Sequence, residues 1–232
     1  MAHARWIARF ARWHIWLGWL VGVPLLLWTI SGVAMVARPI EEVRGEHLRL
    51  SREEALPLGN PAPVLNELGG TPTVTEVRSF VQRGQPVTLV TRLDGSVERW
   101  DAMRGTRLQP LDEAAARAAV RSAIEGGSEV VSVRATAAAA PPLDLRKPVA
   151  TWRVALVDGT HVYVNRDSGE IEAVRTRWWR IYDFLWGIHI MDLKTREDSH
   201  NPFVIVFGLL ALIAALLGCV LLFRRRKARP SA

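Results

Sequence analysis

The sequence predicts a membrane protein in which two transmembrane α-helices flank an α+β domain built from two similar repeats. Three observations lead to this prediction. Two long apolar runs without charge lie near the two ends of the chain, at residues 15–37 and 203–223. The excess of basic residues falls outside these runs, in the two tails. The stretch between the runs contains the same order of helix, strand and turn signals twice.

The two apolar runs contain 23 and 21 residues. Because an apolar helix needs about 20 residues to cross the hydrocarbon core of a bilayer, each run is long enough to span it. A cleaved signal peptide is the alternative for the first run, but its apolar part would cover only about 7–15 residues. We therefore predict transmembrane helices at 15–37 and 203–223, with a cytoplasmic tail and helix start at 1–14 and a basic cytoplasmic tail at 224–232.

The net charge of +7 suggests a nucleic-acid ligand until the charge is divided along the chain. Eight of the 30 basic residues lie in the tails, so 22 remain against 23 acidic residues elsewhere. Nucleic-acid binding would need a basic patch on the folded domain, so we expect no nucleic-acid partner. By the positive-inside rule, both termini are predicted to be cytoplasmic and the central residues periplasmic, at the inner membrane of a bacterium. The basic tail residues are Arg5, Arg9, Arg12, Arg224, Arg225, Arg226, Lys227 and Arg229.

The internal repeat predicts the architecture of the central region. Each copy starts with a short helix that ends at a glycine pair, and three strands are predicted to follow. An Asp-Gly turn precedes the third strand, and a second turn glycine comes ten residues after the first in both copies. Two such helix–strand–strand–strand units form an α+β domain. The paired signals are Gly69-Gly70 and Gly126-Gly127, Asp94-Gly95 and Asp158-Gly159, and Gly105 and Gly169.

These signals divide the region between the spans into five segments. A periplasmic linker is predicted at 38–59, the first repeat at 60–110 and the second at 111–176. The second repeat contains an Ala/Pro-rich insertion that is predicted to form a mobile loop. Residues 177–191 follow helical spacing with one apolar stripe, which predicts an amphipathic helix on the outer leaflet of the lipid membrane. A charged linker at 192–202 leads to the second span, where Asn201-Pro202 is typical of a helix start.

Three sequence segments resemble the PepSY-associated transmembrane family, which includes iron-regulated membrane proteins and ferric-siderophore reductases. They are the opening RWHIWLGWLVGVPLLLWTISG, the repeat end DGTHVYVNRDSGEI, which is similar to a PepSY closing hairpin, and the WGIH segment before the last span. The resemblance implies an inner-membrane location and a link to iron acquisition. It also implies b-type haem held between helices by histidines, with electrons passing to periplasmic ferric chelates. This chain departs from the larger members in having two spans and no flavin or nicotinamide domain.

Two histidines are the candidate haem ligands, and no catalytic residue is predicted. His14 shares a helix face with Gly18 and Gly22, and small residues at these positions let a partner helix or a porphyrin approach the backbone. His189 lies on the apolar stripe before the second span. For both residues, the alternative is a histidine at the membrane interface that binds no haem. His14 belongs to the inner face and His189 to the outer, roughly 30 Å apart across the hydrocarbon, so a bis-histidine haem would require a homodimer.

The sequence leaves three functions open, and it leaves open whether the chain is an enzyme. The first is a haem-binding redox component for ferric-siderophore reduction or iron uptake. The second is a non-catalytic accessory subunit, without cofactor, of a larger respiratory or transport complex of the inner membrane. The third is a membrane-tethered PepSY module that binds or inhibits other proteins. No metal-ligand spacing, nucleophile motif, P-loop or cysteine pair is present.

Overall fold

The computed structural model describes residues 2–50, 54–59, 61–69 and 73–227. The chain divides into a helical unit, Met1–Pro39 with Ile181–Ala232, and a central unit, Ile40–Arg180. Gly70, the tail from residue 228 onward and the side chains of His3, Arg5 and residues 224–227 lie outside the described part of the chain.

Two long helices dominate the helical unit, α1 (Ala2–Met35) and α6 (Pro202–Lys227). Their stretches Ala8–Met35 and Pro202–Phe223 are long and apolar enough to cross a membrane. Most large apolar side chains on both helices are exposed, up to 79% for Trp19. Helices that are apolar on nearly all sides suit a lipid environment. Both predicted transmembrane helices are therefore present.

α1 and α6 pack against each other along one seam. A set of partly or fully buried positions on each helix recurs at alternating intervals of three and four residues, which is the spacing of left-handed helix pairs. The seam positions are 14, 17, 21, 24, 28, 31 and 35 on α1, and 204, 207, 211, 214, 218 and 221 on α6. Val21, Ser31 and Ala214 are its most buried members in mid-helix.

The charged segment between α5 (Arg177–His189) and α6 folds back on α5. Asp183 is 4% exposed and accepts a hydrogen bond from Arg196 at 2.7 Å. Asp192 accepts bonds from four backbone N–H groups and from the Thr195 hydroxyl, which holds the pKa of its carboxyl far below the ordinary value. Asn201 then caps α6, since its Oδ1 accepts from the backbone of Phe203 and Val204, as the sequence predicts.

The central unit consists of two antiparallel four-stranded sheets, each with its own helix. The helices are α2 (Ile40–Val43), a 3₁₀ turn (Glu46–Leu48), α3 (Ala62–Leu68) and α4 (Glu113–Ala123). The first sheet runs β1 (Val74–Gln82), β2 (Gln85–Arg92), β3 (Val97–Asp101) and β4 (Thr106–Arg107). The second runs β5 (Val130–Thr136), β6 (Thr151–Leu156), β7 (His161–Asn165) and β8 (Ile171–Arg175).

The predicted repeat is confirmed, with one correction: each copy has four strands rather than three. After the second turn the chain reverses and pairs with the third strand, as β4 on β3 and β8 on β7. These strands were missed because β4 has only two residues and the five residues of β8 alternate weakly. The alternation signal needs about 4–8 residues to be read with confidence.

The turns of the two copies match at the level of single hydrogen bonds. Asp94 accepts from the backbone and hydroxyl of Ser96, and Asp158 does the same with Thr160. At the second turn, Asp101 and Asn165 each accept two backbone N–H groups from the residues two and three positions later. Short polar side chains that bind their own backbone stabilise such turns. The predicted turns are therefore confirmed.

The second copy has the larger core, because α4 covers one face of its sheet. The buried helix residues Ala116, Ala119 and Val120 pack on alternate residues of the strands. The strand residues of this cluster are Val154, Leu156, Val162, Val164 and Val174. In the first copy the buried cluster is smaller and contains Val64, Leu68 and Val90.

The predicted linker at 38–59 contains ordered segments that pack on the second copy. Val43 is fully buried, and Leu48 packs against the α4 cluster. Gly45 has a φ of 71°, and a Cβ there would lie 2.8 Å from a methyl group of Val174 on β8. Only glycine combines this backbone conformation with so close an approach.

The other face of the second sheet is covered by the segment that follows the Ala/Pro-rich loop. Leu145 of this segment packs with the fully buried Tyr163. The Asp144 carboxylate accepts a 2.6 Å bond from the Tyr163 hydroxyl and lies 3.2 Å from Nδ1 of His161. Burial opposes ionisation, but the bonds from His161 and Tyr163 outweigh it and lower the pKa of Asp144. Its stabilising contribution is therefore full above the ordinary carboxyl pKa and is lost as the pH falls through the lower folded-state value.

Replacing Tyr163 with phenylalanine keeps the buried ring and removes the hydroxyl that donates to Asp144. We expect the free energy of unfolding of the central unit to fall by about 1–3 kcal/mol, because a buried carboxylate oxygen loses its donor. Thermal denaturation of the full chain in detergent, followed by near-ultraviolet circular dichroism, measures this change. Tyr182→Phe is the matched control, since the Tyr182 hydroxyl makes no hydrogen bond within the described residues. Equal losses in the two variants would contradict the assignment.

Candidate functional site

His14 lies in the seam between α1 and α6, near the start of the first apolar stretch. Its Nδ1 is 2.9 Å from the backbone carbonyl oxygen of Ala214 on α6. Because a carbonyl oxygen can only accept, the Nδ1 of His14 must carry a proton and donate it. In the neutral ring, Nε2 is then the nitrogen with a free lone pair.

The His14 ring fits in the seam because residue 218 of α6 is glycine. A Cβ built at Gly218 would lie 2.9 Å from Cε1 of His14, closer than real side chains approach. The imidazole therefore fills the space that a side chain at this position would occupy. The absence of a side chain at Gly218 therefore determines how deeply the ring enters the seam.

His189 is the last residue of α5, and it docks on the other end of α1. Its Nδ1 is 3.0 Å from the Ser31 hydroxyl oxygen. The Ser31 hydroxyl also lies 3.1 Å from the Trp28 carbonyl oxygen and donates its proton there. The oxygen of Ser31 is then available only as an acceptor, so Nδ1 of His189 is the donor. His189 thus has the same tautomer as His14.

Aromatic rings and a second glycine enclose the His189 imidazole. The rings of Trp28 and Trp186 stack on it, with centroid distances of 5.7 and 6.4 Å. The Trp28 indole N–H donates to the His189 carbonyl oxygen, one of the carbonyls that a helix end leaves unpaired. A Cβ at Gly32 would be 3.5 Å from Cε1 of the histidine. The ring is therefore held between residues of α1 and Trp186 of its own helix.

The two histidines share an arrangement that metal-binding histidines commonly have. In each, Nδ1–H is bound to a protein oxygen, and Nε2 takes part in no hydrogen bond within the described residues. A fixed Nδ1–H sets the ring orientation and leaves Nε2 available as a ligand. No group of three or more His, Cys, Asp or Glu side chains gathers in the described part of the chain. Iron in a porphyrin needs only one or two protein ligands, so this donor set fits the haem that the resemblance implies.

The two imidazoles are too far apart to bind one iron. His14 and Ser31, the partner of His189, are 17 residues apart on the continuous helix α1. At a rise of 1.5 Å per residue, this separation is about 26 Å along the helix axis. The helix pair therefore carries two separate candidate sites, one towards each end.

Gly18 and Gly22, the predicted packing glycines, face open space. A Cβ at either position would have nothing within 4 Å. Within this chain the close approaches use Gly218 and Gly32 instead. Sequence reasoning missed Gly218, although the three-four spacing of small residues on α6 could have indicated it. The face with Gly18 and Gly22 is left open on α1.

The remaining described histidine side chains have structural partners or lie at the surface. His161 faces Asp144. His200 is exposed and lies 3.4 Å from the Ser199 hydroxyl, and His47 is exposed in the 3₁₀ turn. None of these three has the combination of a fixed Nδ1 and a helix-packed ring.

Comparisons with known proteins agree with this architecture. The family model described as "PepSY-associated TM region" matches residues 11–232, which is nearly the whole chain. No curated protein and no solved structure matches significantly.

Replacing Gly218 with alanine places a methyl group against the His14 ring. We expect the ring to move out of the seam and lose its bond to the Ala214 carbonyl, because the ring and the methyl group cannot occupy the same space. The imidazole nitrogen shifts of His14, in protein labelled with ¹⁵N-histidine, report this loss. Gly18→Ala is the matched control, since its methyl group would meet nothing within 4 Å. Unchanged nitrogen shifts in Gly218→Ala would show that the His14 ring does not pack against Gly218.

Proposed function

The chain belongs to the PepSY-associated TM family, and we propose that it is a haem-binding redox component of a bacterial inner membrane, linked to ferric-siderophore reduction and iron uptake. One observation carries the proposal. His14 and His189 lie at opposite ends of one helix pair, each with Nδ1–H bound to a protein oxygen and Nε2 left for a ligand.

The charge distribution supports an orientation for this component. The basic tails favour the cytoplasmic side, which would place both termini there and the central unit in the periplasm. His14 would then lie in the cytoplasmic half of the membrane and His189 in the periplasmic half. Bound haem supplies one-electron exchange at each site. The roles of the chain are to hold each ring in place, to fix its tautomer and to surround it with apolar side chains.

A bis-histidine site would require a second copy of the chain. Each end of the helix pair offers one imidazole, so the second histidine holding the haem would be the same residue of a partner related by a two-fold axis. Gly18 and Gly22 support this arrangement, since their face of α1 is open and lets another helix approach closely. Four helices from two chains would then surround both sites.

A second candidate function is that of a non-catalytic accessory subunit of a larger membrane complex, or of a tethered PepSY binding module. The observation in its favour is the large exposed surface of α1 and α6, which touch each other only along the seam. Pull-down of the chain in mild detergent distinguishes these functions from the redox function. An accessory subunit retains a stoichiometric membrane partner and shows no haem absorption, and a tethered module retains a protein partner through its central unit.

The redox proposal predicts that the purified chain absorbs as a b-type haem protein. We expect a Soret band that shifts on reduction, about half the haem per chain in His14→Ala or His189→Ala, and none in the double variant, because each histidine serves a separate site. The pyridine haemochrome assay on membrane-purified protein measures the stoichiometry. His200→Ala is the matched control and should keep all the haem, since His200 is exposed outside the seam. A wild-type protein that shows no Soret band after expression with sufficient haem would contradict the proposal.

The dimer is tested separately from haem binding. Replacing both Gly18 and Gly22 with leucine fills the open face of α1 without touching the seam. We expect the variant to be monomeric and to lose haem, because the second axial ligand is removed. Native mass spectrometry from nanodiscs reads mass and haem together. Val23→Leu, at a neighbouring side chain that is 65% exposed, is the control and should remain dimeric. A monomer that keeps two haems would refute the two-fold arrangement.

A further inference from the structure

We propose that a cleft between the two repeat copies of the central unit binds a small organic anion, in which a carboxylate or phosphate group is attached to an apolar body. The cleft has a volume of about 600 Å³, which falls within the range of small-molecule sites in proteins. The β1–β2 hairpin of the first copy forms one wall, and α4 and the β7–β8 turn of the second copy form the other. The charged residues of the lining are Arg49, Glu54, Arg83 and Glu170.

Polar contacts join the two walls of the cleft directly. Gln82, at the end of β1, donates from Nε2 to the Ser168 carbonyl oxygen in the β7–β8 turn at 3.1 Å. Arg78, also on β1, forms an ion pair with Glu170 at 2.7 Å. Hydrogen bonds between charged groups are stronger than those between neutral groups. The cleft is therefore part of the folded central unit and not a gap between independent segments.

Arg83 lies at the hairpin turn, where its backbone conformation favours a different residue. Its φ is 55°, in the left-handed region that suits glycine, and Gly84 follows with a φ of 75°. The Arg83 side chain reaches the second copy, where Nη1 donates to the Ala115 carbonyl oxygen of α4 at 2.8 Å. It has no ion pair with the described residues. Unfavourable backbone conformations of this kind cluster at ligand sites.

Arg49 contributes a second guanidinium group without a carboxylate partner in the described part of the chain. Its Nη2 donates to the Ile171 carbonyl oxygen of β8 at 3.3 Å. Its backbone forms an isolated β-bridge with Ile124, so it projects from a segment tied to the end of α4. Guanidinium groups bind carboxylate or phosphate oxygens through two parallel N–H bonds. Arg49 and Arg83 each use one N–H group in bonds to described residues, which leaves others for a ligand.

Arg99 on β3 adds a third positive charge close to the cleft. Its guanidinium donates to the Gln82 side-chain oxygen at 3.4 Å and to the Gln109 carbonyl oxygen at 3.0 Å. A Cβ at Gly169 of the lining would be only 2.9 Å from its Nη1. Burial, together with the positive charge of Arg83, lowers the pKa of Arg99. Because the two arginines repel each other, a bound anion would stabilise the junction of the copies.

The two acidic residues of the lining do not balance these three arginines. Glu170 is paired with Arg78, which is none of the three. Glu54 is exposed and has no ion pair with the described residues, so its charge offsets at most one arginine. The cleft is therefore net positive, although the region between the two spans is close to neutral as a whole. An oxyanion supplies the missing counter-charge, and such binding does not depend on haem.

The rest of the lining favours an anion that carries an apolar body. The α4 wall presents the small residues Ala119, Ser122 and Ala123, which leave room in the cleft. Phe80 and Ile171 add larger apolar side chains on the two copies. Ligand sites typically combine apolar walls with a few polar groups that fix orientation. An inorganic anion would contact the arginines but leave these walls unused.

Titration of full-length, haem-free protein with phenyl phosphate in neutral detergent at low salt tests the proposal. We expect saturable binding by calorimetry that weakens as salt is added, because the contacts are between charged groups. Inorganic phosphate should bind at least about tenfold more weakly than phenyl phosphate, since it buries no apolar surface. Phenol, which lacks the anionic group, should show no saturable binding.

Variants of the two lining arginines assign the binding to this cleft. Arg49→Ala/Arg83→Gly should bind phenyl phosphate at least about tenfold more weakly, since two charged donors are lost. Glycine is chosen at residue 83 because it suits the positive φ of the turn. Arg121→Ala is the matched control and should stay within about twofold of wild type. Arg121 is an exposed arginine on α4 without a partner among the described residues.

Two further arms identify the source of the anion and guard against misfolding. If nanodiscs of phosphatidylglycerol abolish phenyl phosphate binding and those of phosphatidylcholine do not, the cleft takes a phospholipid headgroup. If both leave it intact, the ligand is a soluble anion. Arg49→Lys/Arg83→Lys keeps the charges but loses the bidentate geometry, so its affinity should lie between those of wild type and Arg49→Ala/Arg83→Gly. Absence of phenyl phosphate binding in wild type, or equal affinity in Arg49→Ala/Arg83→Gly and Arg121→Ala, would overturn the proposal.

Discussion

A pair of helices in lipid gains little free energy by burying apolar side chains, because the surrounding hydrocarbon is equally apolar. Association instead depends on close backbone approach and on hydrogen bonds between the segments. In this chain the two histidines take part in contacts of this kind. Gly218 admits the His14 ring to the seam, and Ser31 accepts the Nδ1–H of His189. The contacts that join α1 to α6 and to α5 therefore include those that fix the position and tautomer of both imidazoles.

The parts of the fold that could be predicted from sequence are those with strong local signals. The transmembrane helices follow from uninterrupted apolar runs, and the cap at Asn201 follows from residue type and the proline after it. The duplication was visible because its turns use the same short polar residues, and Asp94 and Asp158 make equivalent bonds in the two copies. Each of these features depends on interactions within a few residues, which a pattern in the sequence captures directly.

The missed features depend on contacts between distant parts of the chain. The bond from His14 to Ala214 joins residues 200 positions apart, and the contact of the His14 ring with Gly218 is comparably distant along the chain. No sequence pattern marked Asp144, because its partners lie on β7 of the sheet that the segment around it covers. The candidate ligands were therefore predictable as residues, whereas their orientation was not. Only the tertiary structure brings each Nδ1 to its oxygen acceptor.

The choice of histidine at positions 14 and 189 supports the redox proposal. A serine or an asparagine could donate to a backbone carbonyl across a helix pair, with a smaller group to bury. An imidazole differs from these side chains by its second nitrogen, whose lone pair can bind a metal ion. At both His14 and His189 that second nitrogen is the one without a hydrogen bond in the described chain. His14 and His189 would each offer this nitrogen to haem iron, at the two ends of the helix pair.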